Sequence, residues 1–384
     1  IRDIRPFALV KEGDIVFACS TSRKHIFALL QIISKSENQI EFKIIEKLDI
    51  PCLISELKEP YCNYCPGDNL GFFRLTSFIG KDIIKGIEKE TGVPVIESTP
   101  NYSVEDLLHE VYIDEKDILS ILDGLDNKKN IILQGAPGVG KTYLARKLAF
   151  AKIGKKHSHR VFSVQFHPNY TYEDFIMGYK PDEKGNFKLQ EGVFMDFCKT
   201  ASKDKKSNNY YFIIDEINRG NLSKIFGEAF TIIENKHRGE TIKLAYPNKN
   251  FRIPKNVYII GVMNTADRSL AMLDIALRRR FAFFTLKPAF QTPSFQADQK
   301  KLENGLFNEL IKRIEEINDD IAKDSTLGEG FCIGHSFFCN DKGLDTTHLK
   351  DVVEYEIIPL LKEYWFDNDA KFEEESEKLL KVFE

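Results

Sequence analysis

At 384 residues the chain is too long for one typical domain and suits two or three. Its 42% hydrophobic and 29% charged residues, with a net charge of −4, exclude disordered and fibrous classes. No apolar run approaches the ~18 residues that span a bilayer, no signal-peptide pattern opens the chain, and seven cysteines, an odd number, argue against a disulfide framework and for the cytoplasm.

The chain begins at Ile1, so a preceding piece is expected. Residues 1–97 read as mostly β. Gly13-Asp14 precedes the apolar run 15–18, a second run covers 26–33, and 40–45 alternates apolar with polar. Phe72-Phe73-Arg74-Leu75 reads as a last strand and 81–90 as a helix, giving a small β-barrel or curled sheet. The 13 basic and 14 acidic residues here net −1. Cys62-x-x-Cys65 lacks a second pair and reads as packing or loop thiols rather than a zinc site.

Residues 91–102, with Gly92, Pro94 and Pro100, read as a linker, and Ser103 as the N-cap of a helix. Strands and helices then alternate: strands at 131–133, 161–166, 211–214, 257–263 and 281–285, helices at 143–151, 222–233 and 270–279. This pattern predicts a parallel α/β sheet over residues 98–285. With 29 basic and 22 acidic residues, this segment carries +7 and any attraction to nucleic acid.

Gly135-Ala136-Pro137-Gly138-Val139-Gly140-Lys141-Thr142 fits GxxxxGK[ST] between a strand and a helix. Its glycines let backbone N–H groups wrap phosphates at a helix N-terminus. Lys141 is expected to meet the β- and γ-phosphates, and Thr142 to hold Mg2+. Four apolar residues, Tyr211-Phe212-Ile213-Ile214, bury a strand and aim Asp215 out of its end as a second Mg2+ ligand, with Glu216 as the base for the attacking water. Asn264 ends a third strand, where its amide can hold the γ-phosphate or water, and Asp267 and Arg268 share its catalytic loop. Arg278-Arg279-Arg280 suits a helix C-terminus. Three successive arginines also point in different directions, so one can act on a neighbouring copy's phosphates, with Arg279 or Arg280 the choice.

From Gln291 onward the pattern turns helical, at 302–317, 347–356 and 358–366. Residues 286–384 carry 12 basic and 22 acidic residues, net −10, a poor surface for DNA. His335 reads as a packed or capping histidine, with a lid contact near the nucleotide as the alternative, and residues 170–192, with a Gly185-Asn186 turn, as a hairpin that is either structural or faces a pore.

The strings Asp215-Glu216-Ile217-Asn218-Arg219-Gly220, Met263-Asn264-Thr265-Ala266-Asp267-Arg268-Ser269-Leu270 and Ala276-Leu277-Arg278-Arg279-Arg280-Phe281 resemble McrB motor subunits among the AAA+ proteins. So do the string from Phe166 to Phe175 and Ile333-Gly334-His335-Ser336. The resemblance, over residues 102–366, implies an AAA+ P-loop NTPase with a C-terminal helical lid at 286–384. It also implies a hexameric ring, GTP preferred over ATP with Mg2+, and a separate McrC-like nuclease partner that cuts the DNA. Arg313 is the only arginine after residue 286 and leaves the sensor-2 position without an evident arginine. Residues 1–97 resemble the EVE and YTH branch of PUA-like barrels, which hold a flipped, modified base among aromatics. Phe17, Phe27, Tyr61, Tyr64 and Phe73 are the pocket candidates. The competing readings are a MoxR-type AAA+ chaperone that remodels proteins, with residues 1–97 as a protein-docking module, and a nucleotide-controlled assembly module whose N-terminal domain binds a partner protein.

Overall fold

Residues 100–384 are described by the computed structural model, apart from 182–184, 206, 268–274 and 340–344, together with the backbone of five strands between residues 15 and 73. The chain divides into two compact units, Ile1–Ser98 and Thr99–Glu384.

In the first unit, β1 (Ile15–Ser20), β2 (His25–Lys35), β3 (Ile40–Pro51), β4 (Pro60–Cys62) and β5 (Leu70–Phe73) form one antiparallel sheet in the order β3-β2-β1-β5-β4. Register shifts interrupt every pair except β1–β5, the kind of bulge that bends a small sheet. Phe17 and Phe73 are register partners, and Phe27 falls at the bulge of the β1–β2 pair. Tyr61 lies on β4. Tyr64, Cys65 and the helix expected at 81–90 lie outside the described residues.

The second unit is built on a parallel sheet of β6 (Asn130–Gly135), β7 (Val161–Gln165), β10 (Tyr210–Asp215), β13 (Val257–Asn264) and β14 (Ala282–Leu286), in the order β14-β6-β13-β10-β7. Alternate residues of one strand face opposite sides of a sheet, and two cores follow. Ile131, Leu133, Tyr211, Ile213, Ile260 and Val262 join one; Ile132, Phe212, Ile214, Val257 and Ile259 join the other. Strands buried on both faces read as continuous apolar runs, as 211–214 does here.

The first core takes in α1 (Val104–Glu110), α2 (Glu115–Lys128) and α3 (Lys141–Ile153). Ser103 and Asp106 close the capping box that starts α1. On α2, Ile118, Ile121, Leu122 and Leu125 repeat at helical spacing and are buried. Against the second core lie α4 (Tyr172–Phe175), the antiparallel hairpin β8 (Met177–Pro181) and β9 (Phe187–Glu191), and α5 (Val193–Lys203). The helix expected over 222–233 is instead α6 (Leu222–Phe226) followed by a 3-10 segment, Gly227–Thr231. Gly227, at φ 51° and ψ −130°, breaks the helix, and a Cβ there would lie 2.7 Å from the Tyr172 ring.

A two-strand ribbon, β11 (Ile242–Lys243) and β12 (Asn250–Phe251), precedes β13, and α7 (Ile275–Arg280) precedes β14. The C-terminal part is helical: α8 (Pro293–Lys301), α9 (Gly305–Lys323), α10 (Thr346–Val352), α11 (Ile358–Tyr364) and α12 (Asp369–Leu380). The sequence pattern missed α8, a polar helix started by the Thr292 cap with Pro293 in its first turn. On α9, Phe307, Leu310, Ile311, Ile314, Ile317 and Ile321 form the buried seam that joins these helices to the first core.

Candidate functional site

The carboxyl ends of β6, β10 and β13 meet at one edge of the sheet, where open α/β sheets bind ligands. Gly135 at the end of β6 is in register with Asn264 at the end of β13. Gly138 and Gly140 take left-handed conformations, φ 75° and 74°, between β6 and α3, and so turn successive N–H groups inward. Lys141 folds back onto this loop, its Nζ donating to the Ala136 and Gly135 carbonyls at 2.7 and 3.0 Å. Burial pushes the Lys141 ammonium down to about 8, against the pull of Glu216 and Asp215.

Thr142 Oγ1 donates to Asp215 Oδ2 at 3.1 Å, so the two expected Mg2+ ligands lie side by side. A hydroxyl and a carboxylate are the hard oxygen donors that Mg2+ takes, and the left-handed glycine loop fits a polyphosphate. The backbone turns sharply after Asp215: Glu216 sits at φ 50°, strained for a residue with a side chain, and its N–H donates to Asp215 Oδ1 at 3.0 Å.

Arg219, part of the Asp215-to-Gly220 string but not among the candidate site residues, joins the site in the structure. Its Nε donates to Glu216 Oε2 at 3.2 Å and its Nη2 to Asp267 Oδ2 at 2.8 Å, bridging two predicted site carboxylates. Its position three residues after Glu216 is the signal that could have revealed it. Asn264 Oδ1 accepts from the Ala266 N–H at 3.2 Å, which leaves the amide Nδ2 as the outward donor. Asn218, with its Oδ1 buried and unpartnered among the described residues, donates to the Asn264 carbonyl at 3.4 Å.

The segment 328–338 closes over this edge. Thr265 Oγ1 donates to the Gly330 carbonyl at 2.8 Å, while Gly334 N–H and Ser336 N–H donate to the Pro137 and Gly138 carbonyls at 3.1 and 2.8 Å. A Cβ on Gly334 would lie 2.0 Å from the Gly138 backbone, so only glycine permits the approach. From behind, Asn318 on α9 bonds both backbone groups of Ile333. His335 is buried, and its Nδ1 accepts from the Ala289 N–H at 3.1 Å, which puts the ring proton on Nε2. A Cβ on Gly140 would lie 4.0 Å from that Nε2. Burial among Tyr112, Phe290 and Phe295 pushes His335 down to about 4.

The three arginines at the end of α7 differ. Arg278 and Arg279 are exposed. Arg280 turns inward: its Nε donates to the Phe230 carbonyl at 2.9 Å, lies 3.6 Å from Glu234, and its guanidinium stacks 4.2 Å from the Phe230 ring centre. Arg268 lies outside the described residues. On α9, Arg313 pairs with Glu309 and Glu316. The described residues contain no His, Cys, Asp and Glu cluster of metal-binding form.

Residues 130–281 match the family model of the AAA domain (dynein-related subfamily), and residues 309–373 match that of the McrB alpha-helical lid domain. The Type IV methyl-directed restriction enzyme EcoKMcrB subunit of Escherichia coli (strain K12) is 47% identical over 300 residues, covering 75% of this chain and 65% of that protein. The Type II restriction enzyme BsuMI component YdiS of Bacillus subtilis (strain 168) is 30% identical over 195 residues, covering 40% of this chain and 56% of that protein. The chain thus spans less than two thirds of the length of either relative. A solved structure of a putative ATPase from Cytophaga hutchinsonii aligns at 17% identity and a TM-score of 0.33, over 57% of this chain and 66% of that one.

Proposed function

Because this chain belongs to the McrB-type AAA+ proteins, we propose that it is the nucleotide-hydrolysing motor of a modification-dependent DNA restriction system. In this reading it hydrolyses GTP in preference to ATP, works in the cytoplasm as a hexameric ring, and drives movement on DNA carrying modified bases. A separate McrC-like nuclease partner cuts. The observation that carries the reading is the Thr142, Asp215, Glu216, Arg219 and Asp267 constellation at the sheet edge, with Arg279 exposed at the end of α7. Support for the DNA substrate comes from the methyl-directed enzyme named above and from the +7 charge of residues 98–285. The match of residues 309–373 to the McrB lid disfavours the protein-remodelling alternative.

The residues divide the work. Gly138 and Gly140 aim backbone N–H groups at the phosphates, and Lys141 leaves its loop carbonyls to join them. Thr142 and Asp215 would hold Mg2+, which supplies charge neutralisation on the phosphates when bound. Arg219 fixes Oε2 of Glu216 and leaves Oε1 to take the proton of the attacking water. Asn264 offers its Nδ2 donor from the neighbouring strand. Arg279 of the next copy stabilises charge on the transferred group, and Arg280 holds the end of its helix.

The test uses the full chain. GTP and ATP are titrated in competition, and hydrolysis is then followed with matched duplexes that do or do not carry modified cytosine or adenine. Tighter GTP binding and stimulation confined to modified duplexes are expected. Tighter ATP binding with no response to any duplex would overturn the reading.

A further inference from the structure

Beneath the arginine-bearing helix lies a buried cation that the nucleotide site does not use. Arg238 is 2% exposed, and among the described residues no carboxylate pairs with it. Its Nε donates to the Ile233 carbonyl at 2.9 Å and its Nη2 to Asn130 Oδ1, while Nη1 is buried without a hydrogen-bond partner. Burial pushes this guanidinium down to about 10, with only the Cys198 thiol and the Tyr258 hydroxyl drawing it back. Burying a cation without an opposite charge is costly, so its retention calls for a role.

The role follows from donor chemistry. A guanidinium can only donate, so it accepts one orientation of the Asn130 amide, with Oδ1 towards it. The amide nitrogen then points the other way. It donates to the Ile233 carbonyl at 2.8 Å and to the Arg280 carbonyl at 3.0 Å. The latter is the last carbonyl of α7, one of the groups a helix end leaves without an internal partner. Lys128 Nζ reaches the preceding carbonyl, that of Arg279, at 3.4 Å. Both anchors flank the start of β6, the strand whose other end begins the phosphate loop. The end of α7 is thereby tied to the same strand that carries the nucleotide site.

We propose that Asn130, locked by Arg238, is a positioning residue that sets Arg279 for its action on the neighbouring copy's nucleotide. The proposal rests on the trans-acting reading of Arg279 given above. It makes no demand on Asn130 in its own copy's nucleotide binding, because the defect of an Asn130 variant falls on the neighbour.

Asn130→Asp keeps the acceptor for Arg238 and removes both N–H donors; Arg238→Met removes the lock. Each full-length variant is co-expressed, as mixed assemblies, with Lys141→Ala or with Arg279→Ala. Variants alone are expected to bind nucleotide as the parent does and to hydrolyse it slower by on the order of tenfold or more. Mixing with Lys141→Ala restores hydrolysis, because that partner brings an intact α7; mixing with Arg279→Ala does not. Should Asn130→Asp fail to fold, as judged by its melting transition, Arg238→Met carries the test. Parental hydrolysis by the folded variant, or equal recovery with both partners, overturns the positioning role. Parental hydrolysis by Arg279→Ala overturns the trans-acting reading itself, a separate and distinguishable result.

Discussion

At the scale of single residues, the site depends on where lone pairs and protons are fixed. Glu216 is held in a strained backbone by its bond to Asp215 and by the Arg219 bridge. Glu216→Gln is expected to retain nucleotide binding and lose about 10²–10⁴-fold in hydrolysis. Loss of binding in a calorimetric titration would make the residue structural instead. His335 has a different signature. Its unfolded imidazole takes a proton below the ordinary value of 6.5, while the folded one does so only near 4. Its contribution to stability is therefore complete above pH 6.5 and is lost as pH falls towards 4, by about 1.4 kcal/mol per unit. The rings around it, Tyr112, Phe290 and Phe295, supply no carboxylate that could reverse the sign. His335→Gln should flatten the fall in melting temperature between pH 7 and pH 5. An unchanged slope would assign the acid sensitivity to other groups.

At the scale of elements, residues 333–336 lie directly against the phosphate loop. Two backbone hydrogen bonds and the missing Cβ of Gly334 make the approach possible. Gly334→Ala forces a methyl group against peptide atoms that no rotamer change can move. The expected cost is about 1–3 kcal/mol in stability, with weaker nucleotide binding and faster proteolysis within 333–339. Parental melting and protease resistance would show that the contact yields easily. Little of this was legible in the sequence, because Gly334 has an ordinary φ and its importance arises from a partner 196 residues away in the chain. The phosphate loop, Asp215 and Asn264 were legible, because apolar runs announce the strands that aim them. The break at Gly227 was not, since the surrounding apolar spacing fits a continuous helix. Arg280 also needed the fold: three arginines in a row look alike until Phe230 and Glu234 claim one of them.

At the scale of the whole molecule, one sheet edge collects the nucleotide groups, and the helical C-terminal part is fastened across it through a shared core. Burial works against the charge of Glu110, but hydrogen bonds from Lys147, Tyr102 and Lys156 hold its carboxyl down to about 2, and the group ties the segment entering this unit to the phosphate-loop helix. The outward side chain of Arg279 has a consequence for kinetics. If it completes the reaction centre of another copy, a single chain is an incomplete catalyst, and abundance becomes a control variable. Specific activity should then climb steeply with protein concentration and level off once the copies have found one another. Dilution should silence the chain while leaving its nucleotide affinity intact. Turnover per chain that stays constant through a hundredfold dilution, while light scattering reports single copies, would mean that each chain carries its whole reaction centre within itself.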